Sequence, residues 1–331
     1  MKRLARLVFM CQNRATVMEK SNISALLVVP AYNEEENISL FVEEAERQLA
    51  DLDWSVLFVN DGSIDGTWEQ ICLQAKAHAN VHGVCFARNF GHQNALKAGL
   101  ETATRFPADV YISLDADLQH PLSLIPKMVA EWQKGVHVVQ SLRNDAGRSI
   151  SWFKKQTSRA FYGVFSWLSG IPMQPGMSDF RLMDRPTLEF VVNCRDKDFF
   201  LRGMLPWSGL STAVLPYTPA ERMHGTSKFT LKKMCALAMS GIVGYSTRPL
   251  YLSVTLGLIA IALAALYFVY VIVVACMGGY NVSLGWPSVI ACVLGLGGLQ
   301  LFILGILGIY LGKLFMEHKS RPTYVVVEKT W

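Results

Sequence analysis

Asp115 and Asp117 are the residues in this chain best suited to chemistry. They close an apolar run, DVYISLD (109–115), and continue into Ala116-Asp117. Side chains on an extended strand repeat every two residues, so both carboxylates are expected to point the same way. Two like charges that close repel unless a cation lies between them. Their hard oxygens suit Mg²⁺ or Mn²⁺, ions that also bind substrate phosphates. Alone, a D-x-D string fits a solvated loop or a helix cap at least as well. Its neighbours favour the metal reading. PAYNEE (30–35), NDGSIDGT (60–67) and RNFGHQ (88–93) each follow an apolar run of their own, as does DADLQHP (115–121). The chain has no G-x-G-x-x-G and no G-x-x-x-x-G-K-[ST], so a dinucleotide fingerprint and a P-loop are both missing.

These segments need elements to bring them together. Strands are expected at 24–30, 54–60, 81–87, 109–115 and 136–141. Between them, 34–50, 67–79, 92–104 and 122–134 read as helices, with Phe41, Val42, Ala45 and Leu49 at helical spacing in the first. Strands alternating with helices imply an α/β fold with a parallel sheet covered on both faces. Ligands bind such sheets beyond the carboxyl ends of the strands, where all four polar segments lie.

Composition divides the chain. Of 331 residues, 51% are hydrophobic and 17% charged, against about 25% charged in an ordinary soluble domain. The deficit is local, since Pro249 to Gly312 carries no Asp, Glu, Lys or Arg. Within it, 250–276 and 289–312 are two apolar runs long enough to cross a bilayer. Arg248 flanks one side, and Lys313, Lys319 and Arg321 the other. The positive-inside rule therefore puts both chain ends in the cytoplasm. The net charge of +5 conceals an acidic stretch, 21–142, and two basic belts, 143–159 and 222–248. Both belts mix aromatic and basic residues and read as amphipathic helices, about 150–169 and 226–248, lying among anionic headgroups. This pattern argues against a nucleic-acid binder, which would carry a basic domain. Seven cysteines with no C-x-x-C suit reduced thiols in the cytosol. Residues 1–21 read as a flexible basic extension, with too short an apolar core for a signal peptide. The catalytic domain is expected over 22–225, the spans over 249–313, and a cytosolic tail over 314–331.

In order, PAYNEE, VNDGSIDGT, ARNFGHQNA, DADLQHP, SDFRLM and ERMHGTSKF resemble the motif series of family 2 GT-A glycosyltransferases. The resemblance is narrower to the polyprenyl-phosphate branch, which includes bactoprenol glucosyltransferases, dolichol-phosphate mannose synthases and undecaprenyl-phosphate aminoarabinose transferases. It runs from about residue 24 to the C-terminus. It implies a GT-A Rossmann-like, mostly parallel sheet with flanking helices. By this resemblance Pro30, Ala31, Tyr32 and Glu34 line the base and ribose pocket, and Asp61 accepts a hydrogen bond from the base. Asp61 also suits Asp-Gly turn chemistry. Asp115, Asp117 and Gln119 match the metal site, leaving His120 a supporting role. Asp179 is the candidate base or orienting carboxylate, and pairing with Arg181 is the competing role. Lys228 falls in the loop expected to close over the diphosphate. Arg143, Arg159, Arg222 and Ser227 are assigned to the acceptor phosphate, although a basic surface patch explains them too.

Two departures stand out. Where the family's last helix often ends G-E-Y-I-G-R, this chain has Gly308-Ile309-Tyr310-Leu311-Gly312-Lys313, so the carboxylate is missing. The Q-x-x-R-W motif of processive synthases is absent, which implies one sugar per acceptor. The expected reaction is inverting transfer of a hexose from a nucleotide sugar to polyprenyl (undecaprenyl) phosphate at the cytoplasmic membrane face. SDFRLM favours UDP-glucose. GDP-mannose, an aminoarabinose nucleotide, or a silent nucleotide-binding scaffold are the alternatives. The tail RPTYVVVEK reads as an edge strand that could pair with another subunit in a homo-oligomer.

Overall fold

The computed structural model describes residues 23–144, 156, 163, 166–168, 170, 176–194, 196, 199–218, 243–244, 246–277, 286–319 and 321–331. The N-terminal extension, most of both basic belts and the linker between the apolar runs lie outside these residues. So do Arg159, Arg222, Ser227 and Lys228. The chain forms two compact units, one of residues 1–163, 171–233 and 322–331, the other of 164–170 and 234–321.

The first unit is an α/β domain. In chain order it runs β1 (Ser24–Ala31), α1 (Glu35–Gln48), β2 (Asp53–Asn60), α2 (Thr67–Ala77), β3 (Val81–Phe86) and α3 (His92–Ala103). Next come β4 (Val110–Ser113), a 3-10 turn (Leu122–Leu124) leading into α4 (Ile125–Gln133), β5 (Val138–Arg143), β6 (Met177–Asp184) and α5 (Arg185–Asn193). It ends with α6 (Leu201–Ser208), β7 (Thr212–Tyr217) and, from the far C-terminus, β8 (Val326–Lys329).

All eight strands join one sheet in the order β7-β5-β6-β4-β1-β2-β3-β8. β1 pairs in parallel with β2 and β4, β2 with β3, and β5 with β7. β6 is antiparallel to β4 and β5, and β8 is antiparallel to β3. The order reverses at β1: the chain builds β2 and β3 on one side, then crosses to place β4 on the other. Open α/β sheets bind ligands at such a reversal, outside the carboxyl ends of the two diverging strands. Here those ends carry PAYNEE and DADLQHP.

Burial explains why the central strands form. β1 is apolar along nearly its whole length and buried on both faces. Ala25, Leu27, Val29 and Ala31 enter one apolar cluster with Phe41, Phe58 and Phe180, while Leu26 and Val28 enter the other with Leu57, Leu96 and Met183. That alternation is the two-residue period of a strand sandwiched between helices. Each fully buried Leu, Val or Phe contributes about 1.5–3 kcal/mol.

At the other end of the domain Asp184 caps α5. Its Oδ1 accepts the Thr187 N–H at 3.0 Å and the Thr187 hydroxyl at 2.6 Å, and its Oδ2 lies 2.7 Å from His137 Nδ1. Replacing Asp184 with Ala is expected to destabilise the domain by about 2 kcal/mol, through the lost cap and the orphaned partners. Denaturant unfolding checks this, and an unchanged midpoint would refute it.

The C-terminal strand answers the expectation for the tail: it is an edge strand, and here it pairs within its own chain. Thr330 N–H donates to Gly83 O at 3.1 Å, and its hydroxyl accepts the Gly83 N–H at 2.9 Å. Trp68 Nε1 donates to Glu328 Oε2 at 2.7 Å, and Tyr324 stacks on Phe86 at 5.1 Å. β8 thus covers the backbone groups that β3 would otherwise expose at a sheet edge.

The second unit holds α7 (Arg248–Cys276) and α8 (Trp286–His318). Each contains a stretch long and apolar enough to cross a membrane, Arg248–Tyr267 and Gly295–His318. Their side chains are almost wholly exposed, as in Leu258, Leu263, Leu266, Leu301 and Leu311. A core helix of a soluble protein would bury such residues. Tyr310 OH donates to Ser246 O at 2.7 Å.

Candidate active site

The loops after β1 and β2 are laced together by short polar side chains. Asn33 takes a left-handed φ of 54°. Its N–H donates to Ser63 Oγ at 3.0 Å, and its Oδ1 accepts the Ile64 N–H at 3.1 Å. Ser63 in turn donates to Asn60 Oδ1. Glu34 N–H donates to Thr67 Oγ1 at 2.9 Å. Pro30 and Ala31 are the last residues of β1, in register with Val59 and Asn60, and Ala31 O accepts the Asp61 N–H. Tyr32, directly after them, is 38% exposed and offers its ring to solvent.

Asp61 is buried, and its carboxylate spans to the third loop. Oδ1 accepts the Phe90 N–H at 2.7 Å and Oδ2 the Gly91 N–H at 2.9 Å. Burial raises its pKa from the ordinary value, and these two bonds and the His92 charge partly offset that. Its structural partners are therefore these N–H groups, beyond the turn chemistry of its own loop. Gly62 is required beside it. Its φ is 63°, and a Cβ there would lie 2.2 Å from the Arg88 carbonyl carbon. Replacing Gly62 with Ala must push the second loop off the third, with strain of about 1–3 kcal/mol. Binding of a nucleotide to that variant is expected to weaken by at least about tenfold. Titration calorimetry checks it, and wild-type affinity would sink the assignment of this loop.

The fourth loop corrects one expectation. β4 ends at Ser113, so Asp115 and Asp117 lie in a turn and not on a strand. Strand periodicity therefore does not set their orientation. In the turn that carries them Leu118 has a φ of 55° and the Gln119 N–H donates to Asp117 Oδ1 at 3.1 Å. Asp115 is 40% exposed. The Tyr217 hydroxyl senses Asp115, Asp117 and Arg143 together. Burial raises its pKa, the Ser178 hydrogen bond and the Arg143 charge oppose that, and the two carboxylates add to it. Arg143, at the end of β5, is in register with Tyr217.

Asp179 on β6 is 4% exposed and held by cations. Arg202 from α6 grips it with both arms, Nε to Oδ1 at 2.9 Å and Nη2 to Oδ2 at 2.8 Å. Arg181 Nη2 forms the expected ion pair at a longer 3.6 Å, so Arg202 is the closer of two cationic partners. Arg181 is fully buried and donates to Leu201 O and Ser178 O, and burial lowers its pKa to about 10. Burial alone would raise the Asp179 pKa. The Arg202 charge and the hydrogen bonds from His92 and Arg202 outweigh it and hold Asp179 well below the ordinary carboxylate range.

His92, which no local spacing singled out, bridges the two carboxylate groups. Its Nε2 lies 3.4 Å from Asp179 Oδ2 and 3.7 Å from Asp115 Oδ1. Burial opposes its charge, but the Asp179 hydrogen bond and the charges of Asp115 and Asp179 push its pKa up to about 9. Gln93 Nε2 donates to Asp179 Oδ2 at 3.3 Å.

The donor set fits a hard divalent cation. Asp115, Asp117 and Gln119 carry carboxylate and carboxamide oxygens, and all three residues are half-buried. Among the described residues no group of three or more His, Cys, Asp or Glu converges as a closed cage. An ion bound by two carboxylates keeps positions for phosphate oxygens and water, the usual habit of Mg²⁺.

The model described as glycosyl transferase family 2 matches residues 26–197. Over 303 residues the chain is 36% identical to the prophage bactoprenol glucosyl transferase homolog of Escherichia coli (strain K12), covering 91% of this chain and 97% of that one. It is 37% identical over 303 residues to the bactoprenol glucosyl transferase of Shigella phage SfX, with the same coverage. Among solved structures, glucosyl-3-phosphoglycerate synthase from Mycobacterium tuberculosis is similar over 67% of this chain and 78% of its own, at 20% identity and a TM-score of 0.44.

Proposed function

The chain belongs to glycosyl transferase family 2, and on that premise we propose that it moves one hexose from a nucleotide sugar to a polyprenyl phosphate, with inversion at the anomeric carbon. UDP-glucose is the proposed donor and undecaprenyl phosphate the proposed acceptor, in keeping with what the relatives are called. The observation that carries the reading is the Asp115–Asp117 turn at the β1/β4 reversal of the sheet, beside the interlaced loops of Asn33, Asp61 and Ser63.

The chemistry follows from charge. Tyr32 offers a face for the base, with Pro30, Ala31, Glu34 and Asp61 around it. As the sugar–phosphate bond breaks, the nucleoside diphosphate gains negative charge. A Mg²⁺ or Mn²⁺ held by Asp115, Asp117 and Gln119 would neutralise that charge. A phosphate monoester has a second pKa of about 6, so near neutral pH it is already largely a dianion and needs no strong general base. Arg143, with Arg159, Arg222 and Ser227, would orient that dianion, and Lys228 would close on the diphosphate. α7 and α8 would span the cytoplasmic membrane with both chain ends in the cytosol, bringing the lipid phosphate to the domain. Anionic headgroups would then meet the two basic belts.

A donor panel tests this. Purified full-length protein is given undecaprenyl phosphate with radiolabelled UDP-glucose, GDP-mannose or an aminoarabinose nucleotide. Lipid-linked glucose formed from UDP-glucose alone is the expected result. Preference for another donor overturns the sugar assignment. Nucleotide binding with no turnover on any donor would instead mark a silent scaffold.

A further inference from the structure

The loop that carries Asp115 and Asp117 is closed by a side chain. The Asp115 N–H donates to Nδ1 of His120, five residues on, at 3.2 Å. Within that ring of chain Gln119 N–H bonds Asp117, and Leu118 is held left-handed. A residue with a branched side chain takes that conformation only where its surroundings enforce it.

The imidazole that closes the ring is itself fixed. His120 is 6% exposed. Its ring lies 5.1 Å from Phe180 on β6 and 5.8 Å from Tyr217 at the end of β7. Those two rings meet edge to face at 6.0 Å. Aromatic residues of two other strands therefore hold one imidazole under the turn. Its Nδ1 lies 3.9 Å from Asp115 Oδ2, too long for a hydrogen bond. His120 thus acts on Asp115 through the backbone.

We propose that His120 is a positioning residue: by accepting the Asp115 N–H it presents both carboxylates to the cation before the cation arrives. This rests on the metal reading given above. Unheld, two like charges in a short turn drift apart, and each binding event must gather them again. A histidine that merely filled the aromatic pocket would need no acceptor at Nδ1, and a phenylalanine would replace it. A positioning histidine needs that acceptor, and asparagine, whose Oδ1 sits close to the place of Nδ1, would restore it.

The experiment compares full-length wild type, His120→Phe, His120→Asn and Asp117→Ala, without donor or acceptor. Mn²⁺ affinity is measured by electron paramagnetic resonance, and thermal unfolding is followed in parallel. His120→Phe is expected to bind Mn²⁺ about 10–100-fold more weakly, the usual effect of removing an outer partner of a metal ligand. His120→Asn should recover most of the loss, whatever its thermal stability. Wild-type affinity in His120→Phe, or no recovery in His120→Asn, overturns the proposal. If His120→Phe does not fold, His120→Leu makes the same comparison. Binding lost in Asp117→Ala but intact in His120→Phe overturns this inference alone. A wild type that binds no Mn²⁺ and transfers sugar in the presence of chelator overturns the metal reading, and this inference with it.

Discussion

Replacing Asp117 with Ala should lower lipid-linked glucose formation from labelled UDP-glucose by about 10³-fold or more. The leaving diphosphate needs its developing charge neutralised, and a cation with one carboxylate fewer supplies that weakly. A loss of about 4 kcal/mol in transition-state stabilisation corresponds to that factor. Folding should hardly change, because the side chain lies in a half-exposed turn, where it accepts the Gln119 N–H. Turnover and thermal unfolding measured on the same preparation separate the two effects. Full turnover in this variant would remove the metal assignment.

Asp179 makes the second large prediction, and the outcome differs from that of a catalytic base. Both its oxygens are occupied by Arg202, and its pKa is held low, so it is a poor proton acceptor. Removing it leaves the fully buried Arg181 and the half-buried Arg202 without their counter-charge. Uncompensated buried charge of this kind costs about 3–5 kcal/mol, so Asp179→Ala should unfold at much lower temperature or fail to accumulate. Asp179→Asn keeps the shape and two acceptor sites on its oxygen. It should be less unstable and retain transfer, where loss of a general base would cost about 10²–10⁴-fold. An asparagine variant that folds like wild type but is inactive to that degree would restore the base. The same group sets an acid limit. Its folded pKa lies below its unfolded value of about 3.9, so its contribution is present above that pH and disappears as pH falls through the folded value.

Much of the first half of the domain could be read directly. β1 and β2 are continuous apolar runs because they are buried on both faces, and helical spacing located α1. β6 escaped because MSDFRLMD carries two aspartates and an arginine. Those residues are in fact buried, paired or engaged in capping, so polarity there gives no sign of exposure. β4 was read three residues too long, one at its start and two at its end, where apolar Leu114 continues its pattern into the turn. The motif aspartates were legible by type. The contacts that join the loops were not: His92, Arg202, Asn33 and Ser63 act between segments distant in the chain, and no local spacing records such contacts.

The closing strand has a consequence for how the protein is made. Gly83 waits for Thr330, 247 residues later in the chain, before its edge is paired. At about 5–20 residues per second, synthesis needs roughly 12–50 s to reach that point. Both apolar helices, α7 and α8, are synthesised in the interval, before the sheet is complete. The nascent head therefore presents an open β3 edge throughout that interval, to chaperones or to neighbouring nascent chains. Translation has to reach the last residues before the sheet can be sealed.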